Sequence, residues 1–351
     1  MNKNDKTLVI LSPGFPANEA DTTCLPPQQL FIKALNQNFP SLNIIILSFQ
    51  YPFFNAEYKW NNNKVIAFGG KHKAKVNRLL LWLRIWKTLK KINKENNIIG
   101  LFSFWCGECA LIGKWFGKRN EIKHYAWISG QDAKKGNKYI KWIRPKPDEL
   151  IAMSDFLADE FFKNYFTGPA HIIPIGIAPE MFSPDGSEKN IDIMGAGSLI
   201  PLKQYDSFVR VIKKLAGQLP SVKSILCGKG PEEKKLKTLI AQNHLENNIS
   251  LAGEIEHPQV LKFMQQTKVF LHTSSYEGFG SVCIEALYAG AHVISFCQPM
   301  KEPINHWHIV STEEEMYAKA LAILQNPQTS YEPAFPFSMS NTAREVMELF
   351  E

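Results

Sequence analysis

Long apolar segments are scarce in this sequence, and their absence narrows the classes of protein that it can encode. No run of 18 or more consecutive apolar residues occurs among its 351 residues, so we expect no transmembrane helix. The N-terminal sequence MNKNDKTLVILSPGFP contains an apolar stretch that is too short for a signal peptide. We therefore expect a cytoplasmic protein.

Motifs for disulfides, metals and nucleic acids are also missing. The six cysteines stand at irregular positions, which does not make a disulfide framework and fits a reducing compartment. Helix-turn-helix, zinc-finger and aromatic RNA-binding signatures are absent, so we expect no nucleic-acid partner. No Asp-x-Asp pair or histidine cluster at ligand spacing occurs, and we expect no metal site. The histidines interpreted as structural or surface residues are His72, His171, His257, His306 and His308.

The composition is that of a globular protein with an uneven charge. Apolar residues make up 45% and charged residues 21% of the chain, and its length suits two domains. Residues 1–180 carry 25 Lys and Arg against 14 Asp and Glu, a net charge of +11, whereas residues 181–351 carry 15 against 19, a net charge of −4. The basic first half favours an anionic partner, and an anionic membrane surface fits better than a nucleic acid.

The most informative stretch is residues 273–294, TSSYEGFGSVCIEALYAGAHVI. It follows a short β-branched and aromatic run that predicts a buried strand. Gly278 and Gly280 lack side chains and so let backbone N–H groups approach an anion, and Ser281 begins the predicted helix. The loop and the positive end of the helix dipole therefore face one pocket, which we interpret as a phosphate site.

A carboxylate follows one turn into the same helix. Glu285 lies four residues after Ser281 and therefore faces the same pocket. A carboxylate in this place can accept hydrogen bonds from paired hydroxyls, such as those of a ribose or a hexose. Gly290 fits a left-handed cap at the helix end, and residues 291–296 predict the next strand.

Strand and helix patterns alternate through the rest of the chain. The alternation predicts an α/β fold with parallel sheets that are covered on both faces. Because ligands bind at the carboxyl ends of such strands, the loop around Gly14, after the first predicted strand, is a candidate wall of the active site. The proline and glycine spacing over residues 171–182 predicts a hinge between two domains.

Residues 71–94 predict a basic amphipathic helix. This helix either docks on the sheet in the ordinary way or rests its basic edge on anionic lipid headgroups, and both can hold at once. The residues predicted to share its apolar face are Leu79, Leu80, Leu83, Trp86 and Leu89.

The sequence WCGEC, residues 105–109, also allows two interpretations. It resembles the active-site motif of thioredoxin-like disulfide oxidoreductases, in which the first cysteine is activated at a helix N-terminus. Alternatively, Cys106 and Cys109 are small residues that are packed at the start of a helix.

The spacing of Glu277 and Glu285, E-x7-E within SSYEGFGSVCIEALYAGAHVI, closely resembles the nucleotide-sugar signature of retaining GT-B glycosyltransferases, in particular family 4, the glycosyl transferases group 1. The resemblance covers nearly the whole chain and implies two Rossmann-like domains whose parallel sheets face each other across a cleft. The implied parts are an acceptor-binding domain over residues 1–178, a nucleotide-sugar-binding domain over residues 179–334, and a C-terminal helix over residues 335–351 that returns toward the first domain.

The resemblance also implies roles for individual residues. Glu277 would hold sugar hydroxyls, Glu285 the ribose, and Lys203 the donor diphosphate, whereas Ser198 stands where the family has an arginine. The family's histidine near the transferred sugar is missing from the loop at residues 129–132, where Gln131 and Asp132 are the polar candidates. The implied catalytic residues are Glu277, Lys203 and Asp132, and the implied donor-binding residues are Glu285, Ser198, Gly197, Gly278, Phe279, Gly280, Ser281, Val282, Gly228, Lys229 and Gly14.

We therefore expect a metal-independent enzyme that transfers a hexosyl group, with retention, from a nucleotide-diphosphate sugar to an acceptor hydroxyl. The expected acceptor is a cell-envelope glycan or glycolipid, and the expected location is the cytoplasm, including the inner face of the membrane. The nucleotide sugar is a co-substrate, and no other cofactor is expected. Two alternatives stay open: a GT-B protein that binds sugar nucleotide with little or no transfer, because of Ser198 and the missing histidine, and a thiol oxidoreductase that uses Cys106 and Cys109.

Overall fold

The computed structural model describes residues 6–70, 75–183 and 188–351. They form two compact units: the first comprises the described residues up to Ile175 together with Met339–Glu351, and the second comprises Gly176–Ser338. Each unit is built on a largely parallel β-sheet that is covered by helices. The predicted α/β fold with two Rossmann-like domains is therefore confirmed.

The first unit contains an eight-stranded sheet in the order β3-β4-β2-β1-β5-β6-β7-β8. Its central strand, β1, has six consecutive buried residues, as expected for a parallel strand that is covered on both faces. The strands are β1 Lys6–Gly14, β2 Asn43–Tyr51, β3 Asn55–Trp60, β4 Asn63–Phe68, β5 Asn97–Phe104, β6 His124–Trp127, β7 Leu150–Ala152 and β8 His171–Ile172.

One pair at the edge of this sheet departs from the predicted alternation of strand and helix. Strand β3 pairs with β4 in antiparallel fashion, whereas all other neighbours are parallel. Asn61 and Asn62 form the two-residue turn, with φ angles of 43° and 64°. Such a left-handed turn matches the twist of antiparallel strands, and asparagine tolerates it better than most residues.

Helices cover both faces of the first sheet. Helix α1 packs its Phe31 ring against Phe102 and Trp127. Helices α2 and α3 contribute Leu81, Ile85 and other residues to the core on which β1, β2 and β5 pack. The helices are α1 Pro26–Asn38, α2 Lys75–Glu95, α3 Glu108–Asn120, α4 Gly130–Ala133, α5 Lys138–Ile143 and α6 Asp155–Tyr165.

The predicted apolar face of helix α2 is wrong. Leu79, Leu80 and Leu83 are 57%, 53% and 51% exposed, and of the five predicted residues Leu89 alone is fully buried. The buried residues of the helix repeat instead at spacings of four and three: Leu81, Ile85, Leu89 and Ile92. Apolar residues lie on more than one stripe of the helix, and the stripe formed by Leu81, Ile85, Leu89 and Ile92 packs on the sheet.

The second unit contains a six-stranded, fully parallel sheet in the order β11-β10-β9-β12-β13-β14. Helices α7, α8 and α11 share one apolar core with the sheet, and α9 and α10 contact each other as well as β12. The elements are β9 Ile191–Ala196, α7 Tyr205–Gln218, β10 Ser224–Cys227, α8 Glu233–Gln242, β11 Ile249–Gly253, α9 His257–Gln265, β12 Thr267–His272, α10 Ser281–Tyr288, β13 His292–Ser295, β14 Trp307–Ile309 and α11 Glu313–Gln325.

The last helix, α12 Met339–Glu348, belongs to the first unit. It packs on α1, where Ser340 Oγ donates a hydrogen bond to Asn38 Oδ1 at 3.0 Å. The Phe350 ring after the helix fills the space above Gly100, where a Cβ atom would come within 2.1 Å of the ring. None of the described helices is both long and apolar enough to cross a bilayer.

Candidate functional site

The strand order of the second sheet creates a crevice between β9 and β12. The chain progresses from β9 toward β11 on one side and from β12 toward β14 on the other, so the loops after β9 and β12 diverge at the carboxyl ends of the strands. A cavity of about 470 Å³ lies there. Its lining residues are Ala196, Gly197, Ser198, Lys203, Cys227, Gly228, Lys229, Glu254, Ile255, His257, Val260, Glu277, Gly280, Ser281, Val282 and Glu285.

Two glycines bring the loops after β9 and β10 together on one side of the cavity. Gly197 and Gly228 have φ angles of 145° and 143°, which favour glycine. A Cβ atom on Gly228 would lie 1.9 Å from the carbonyl oxygen of Gly197. The N–H group of Gly197 donates a hydrogen bond to the carbonyl oxygen of Cys227 at 2.9 Å. Because neither glycine has a side chain, both backbones can line the cavity directly.

The N-terminus of helix α10 forms another part of the wall. Gly280 is the N-cap residue and has a φ of 82°, while Ser281 and Val282 of the first turn line the cavity. The first N–H groups of a helix lack intrahelical partners and carry the positive end of the helix dipole. Cys283 and Ile284, which are buried, hold this turn in place. The arrangement suits an anionic group such as a phosphate.

Glu277 is held as a carboxylate by a cation and a histidine. Lys203 Nζ forms a salt bridge with Glu277 Oε2, and His272 Nε2 lies 3.3 Å from the same oxygen. Burial opposes ionisation of Glu277, but the hydrogen bond with His272 and the charge of Lys203 outweigh it and lower the pKa of Glu277 to about 2. Burial lowers the pKa of His272.

Hydrogen bonds between two loops fix the position of Lys203. Thr273 Oγ1 donates to the carbonyl oxygen of Lys203 at 2.7 Å, and the N–H group of Ser275 donates to the carbonyl oxygen of Leu202 at 3.1 Å. These contacts join the short 3₁₀ turn Pro201–Lys203 to the loop that follows β12. Lys203 and Glu277 therefore enter the cavity as one preorganised pair.

Glu285 has a histidine partner as well. His257 Nε2 lies 2.9 Å from Glu285 Oε1, and the two side chains are 15% and 14% exposed. Burial lowers the pKa of His257, but the hydrogen bond with Glu285 outweighs burial and the pKa is raised above 6.5. The contact joins the first residue of α9 to the second turn of α10.

Most of the predicted site residues meet in this cavity. Those that line it are Glu277, Lys203, Glu285, Ser198, Gly197, Gly280, Ser281, Val282, Gly228 and Lys229. Gly278 and Phe279 do not line it, and the Phe279 side chain is buried, with its ring centroid 5.9 Å from that of Phe337. The roles assigned to all of these residues remain predictions.

Asp132 and Gly14 lie in the first unit. Asp132 Oδ2 accepts hydrogen bonds from the N–H group of Ser129 at 2.8 Å and from Ser129 Oγ at 3.0 Å, which is the geometry of a helix cap. Burial raises the pKa of Asp132, against the opposing hydrogen bonds. Gly14 ends strand β1, close to Tyr51. The contacts of Asp132 are structural, and the catalytic role of Asp132 and the donor-binding role of Gly14 remain predictions.

Sequence reasoning missed two histidines of the site. The sequence does not indicate that His257, interpreted as a structural or surface residue, lines the cavity and contacts Glu285. His272, at the end of β12, is buried and contacts both Glu277 and Ser274 Oγ, the latter at 3.1 Å. His272 stands five residues before Glu277, and that closeness is the one sequence signal that could have indicated it.

The WCGEC segment has the properties of a packed helix start. Cys106 and Cys109 are both buried and belong to apolar clusters of the first unit. Burial raises the pKa of both thiols well above 9.0, the opposite of what a nucleophilic cysteine needs. The interpretation as small packed residues is therefore confirmed. No group of three or more metal-binding side chains occurs in residues 6–70, 75–183 and 188–351.

Comparison with known proteins identifies a family model and relatives that match part of this chain. Residues 179–332 match the family model of the glycosyl transferases group 1. The chain is 27% identical over 203 residues to the gpi3 subunit of phosphatidylinositol N-acetylglucosaminyltransferase from Schizosaccharomyces pombe. This match covers 56% of the chain and 44% of that protein, so the chain spans less than half the length of this relative.

Solved structures share the fold over the whole chain. TarM superposes with a TM-score of 0.70 at 14% identity, and the match covers 99% of both chains. HepE from Anabaena, solved in complex with UDP-glucose, superposes with a TM-score of 0.65 at 15% identity, covering 99% of this chain and 95% of HepE. These similarities show the GT-B fold.

Proposed function

We propose, from the premise that residues 179–332 form a domain of the glycosyl transferases group 1 family, that the chain transfers a hexosyl group from a nucleotide-diphosphate sugar to an acceptor hydroxyl. The observation that carries this proposal is the cavity at the carboxyl ends of β9, β10 and β12, where two lysines, three glutamates and a helix N-terminus converge. This set matches the parts of a nucleotide sugar: a diphosphate, a ribose and a hexose.

In this proposal the diphosphate lies at the first turn of α10. The N–H groups there, together with Lys203 and Lys229, stabilise the negative charge that develops on the leaving diphosphate. Glu285 accepts hydrogen bonds from the ribose hydroxyls. Glu277, which the low pKa keeps ionised, accepts hydrogen bonds from the hexose and stabilises the positive charge that develops near the anomeric carbon. The reaction proceeds with retention and without a metal.

The proposed acceptor is a cell-envelope glycan or a glycolipid. The relative gpi3 is named for an N-acetylglucosaminyltransferase that acts on phosphatidylinositol, which supports a lipid acceptor here. The net charge of +11 on residues 1–180 supports a cytoplasmic protein that works at the inner face of an anionic membrane. The structure of HepE with UDP-glucose makes a uridine nucleotide the first donor to test.

Nucleotide binding is tested by thermal denaturation with UDP, GDP, ADP, TDP and CMP. A nucleotide at a hundred times its Kd adds roughly 2.7 kcal/mol to the free energy of unfolding, which is visible as a raised Tm. We expect Glu285→Ala to remove most of that shift, and the matched control Glu246→Ala, an exposed carboxylate of the same unit, to keep it. If no nucleotide raises the Tm, the proposed donor site is wrong.

A second candidate function is sugar-nucleotide binding with little or no transfer. Its specific support is Ser198, which lines the cavity. The family that this sequence resembles has an arginine at that position, so the leaving diphosphate would face one positive charge fewer here. Release of free nucleotide from a sugar donor separates the two candidates. A slow release that Ser198→Arg accelerates supports the binding protein, whereas fast release in the wild-type protein supports the transferase.

A further inference from the structure

Helix α2 exposes leucines that an ordinary surface helix would bury. Leu79, Leu80 and Leu83 are 57%, 53% and 51% exposed, while the opposite side of the helix packs on the sheet through Leu81 and Ile85. Three exposed leucines within five residues of one helix form a contiguous apolar area, and such areas mark interaction sites on soluble units.

Two exposed aromatic residues belong to a loop that contacts the same helix. Phe53 and Phe54, in the loop between β2 and β3, are 57% and 52% exposed. Arg84 of α2 donates a hydrogen bond from Nη2 to Oδ1 of Asn55, the neighbour of Phe54, at 3.2 Å. The helix and the loop therefore present one surface, and we name the residues Phe53, Phe54, Leu79, Leu80, Leu83, Arg84, Lys87 and Lys91 the α2 surface.

The rest of the exposed helix face is basic. Arg84, Lys87 and Lys91 follow Leu80 at spacings of four, three and four residues, so they share its side of the helix. All three are exposed, and none of them forms a salt bridge with a described residue. Helix α2 contains no acidic residue before Glu95.

The helix is held firmly on its other side. Buried Glu108, at the start of α3, forms a salt bridge with Arg78 and accepts a hydrogen bond from Trp82 Nε1 at 3.0 Å. Tyr139 donates a further hydrogen bond to Glu108 Oε1 at 3.2 Å. The leucines are thus exposed by a fixed orientation of the helix.

We infer that the α2 surface docks the first unit on an anionic lipid bilayer. Exposed leucine and phenylalanine side chains enter the boundary between headgroups and acyl chains, and Arg84, Lys87 and Lys91 meet lipid phosphates. The charge pattern favours a bilayer over a second copy of the chain, because the cations of one copy would face those of the other. The inference does not depend on the transfer reaction.

The position of the surface also bears on the proposed acceptor. The N-terminal half of α2 lies at the carboxyl edge of the sheet. Gly70 follows strand β4, and a Cβ atom on it would lie 2.5 Å from the carbonyl oxygen of Phe49, near the carboxyl end of β2. The same Cβ atom would lie 2.4 Å from Leu81 Cδ2 of helix α2. This is the edge at which parallel sheets bind ligands. If the proposed function holds, docking on the bilayer brings lipid headgroups to the carboxyl edge of the first sheet, where the acceptor would bind.

Vesicle cosedimentation of the full chain tests the inference. We expect binding to vesicles of equimolar phosphatidylcholine and phosphatidylglycerol and none to phosphatidylcholine alone. The variants Leu80→Ser/Leu83→Ser and Lys87→Glu/Lys91→Glu should each weaken binding by about tenfold or more. The control Lys213→Glu/Lys234→Glu makes the same change of net charge on exposed lysines of the second unit and should bind as the wild type does.

Three results would overturn the inference. The first is that the wild type does not bind anionic vesicles, and the second is that the two variants of helix α2 bind them as well as the wild type does. The third is that sedimentation equilibrium shows a dimer, which Leu80→Ser/Leu83→Ser converts to a monomer. The last result would assign the surface to a second copy of the chain. Nucleotide-induced Tm shifts in the same variants report separately on the donor site, so failure of the docking surface and failure of the proposed function are distinguishable.

Discussion

His257 Nε2 and Glu285 Oε1 are 2.9 Å apart, and this contact connects the start of helix α9 to the carboxylate that we propose holds the ribose. Both side chains are largely buried, so the histidine fixes the rotamer of the glutamate from a different helix. A ribose would meet a carboxylate whose Oε1 already has a fixed partner. Under the proposed function, the pair is a preorganised acceptor for the ribose hydroxyls.

The first prediction concerns the pH dependence of stability. Because the pKa of His257 is raised above 6.5 in the folded state, its contact with Glu285 stabilises the protein fully below pH 6.5 and loses this contribution as the pH rises through the folded pKa. Glutamine can donate to Glu285 without titrating. We expect the Tm difference between the wild type and His257→Gln to shift in favour of the variant as the pH rises above 6.5.

Thermal denaturation over a pH series measures this difference. His244→Asn is the control, since His244 is exposed and asparagine tolerates its φ of 55°. That variant should follow the wild-type profile. Parallel profiles for His257→Gln and the wild type would show that protonation of His257 does not contribute to stability.

The second prediction concerns Lys203. We expect Lys203→Met to lower the rate of transfer by about 10²- to 10³-fold, because it removes a cation from the proposed diphosphate site. Lys203→Arg, which keeps the charge, should lose less. Calorimetric titration separates two explanations: loss of affinity for UDP but not for UMP indicates a contact with the second phosphate, whereas equal losses indicate that Lys203 acts only through Glu277.

Much of the fold could be predicted because local signals agree with it. Helix α6 begins directly after Ser154, a typical N-cap residue, whose side chain accepts a hydrogen bond from the N–H group of Leu157. The face of α2 could not be predicted, because several apolar stripes repeat at helical spacing. The β3–β4 hairpin was missed although Asn61 and Asn62 carry a turn signal.

Part of the candidate site could likewise be predicted from the sequence, and part could not. The residues around Glu277 and Glu285 follow one another in a loop and a helix whose geometry is local, so their convergence on one cavity could be predicted. His257 lies 28 residues before Glu285 and reaches it only because α9 and α10 pack side by side. Contacts of this kind depend on tertiary packing, which hydrophobic periodicity does not encode.

The third prediction concerns the cysteines of WCGEC. Cys106 and Cys109 should resist iodoacetamide in the native protein and react only after unfolding, because both thiols are buried and their pKa values are raised. Mass spectrometry of alkylated peptides measures this. We expect Cys106→Ala to cost about 1 kcal/mol of stability through a small cavity and to leave nucleotide binding unchanged. Rapid native alkylation of Cys106 would revive the oxidoreductase hypothesis.

The fourth prediction tests the close approach of the two glycine loops. In Gly228→Ala the new methyl group would lie 1.9 Å from the carbonyl oxygen of Gly197, and the φ of 143° disfavours any side chain. The strands β9 and β10 fix both loops, so the strain cannot relax locally. We expect the free energy of unfolding to fall by about 3 kcal/mol and the nucleotide-induced Tm shift to disappear.

Gly217→Ala is the matched control for that substitution. Gly217 lies in helix α7 of the same unit, and a Cβ atom there would meet nothing within 4 Å. Alanine should therefore raise the free energy of unfolding by about 0.5–1 kcal/mol, because it restricts the unfolded chain more than glycine does. Urea denaturation of both variants compares the two positions directly. Wild-type stability and nucleotide binding in Gly228→Ala would mean that the loops can separate and that their contact does not shape the cavity.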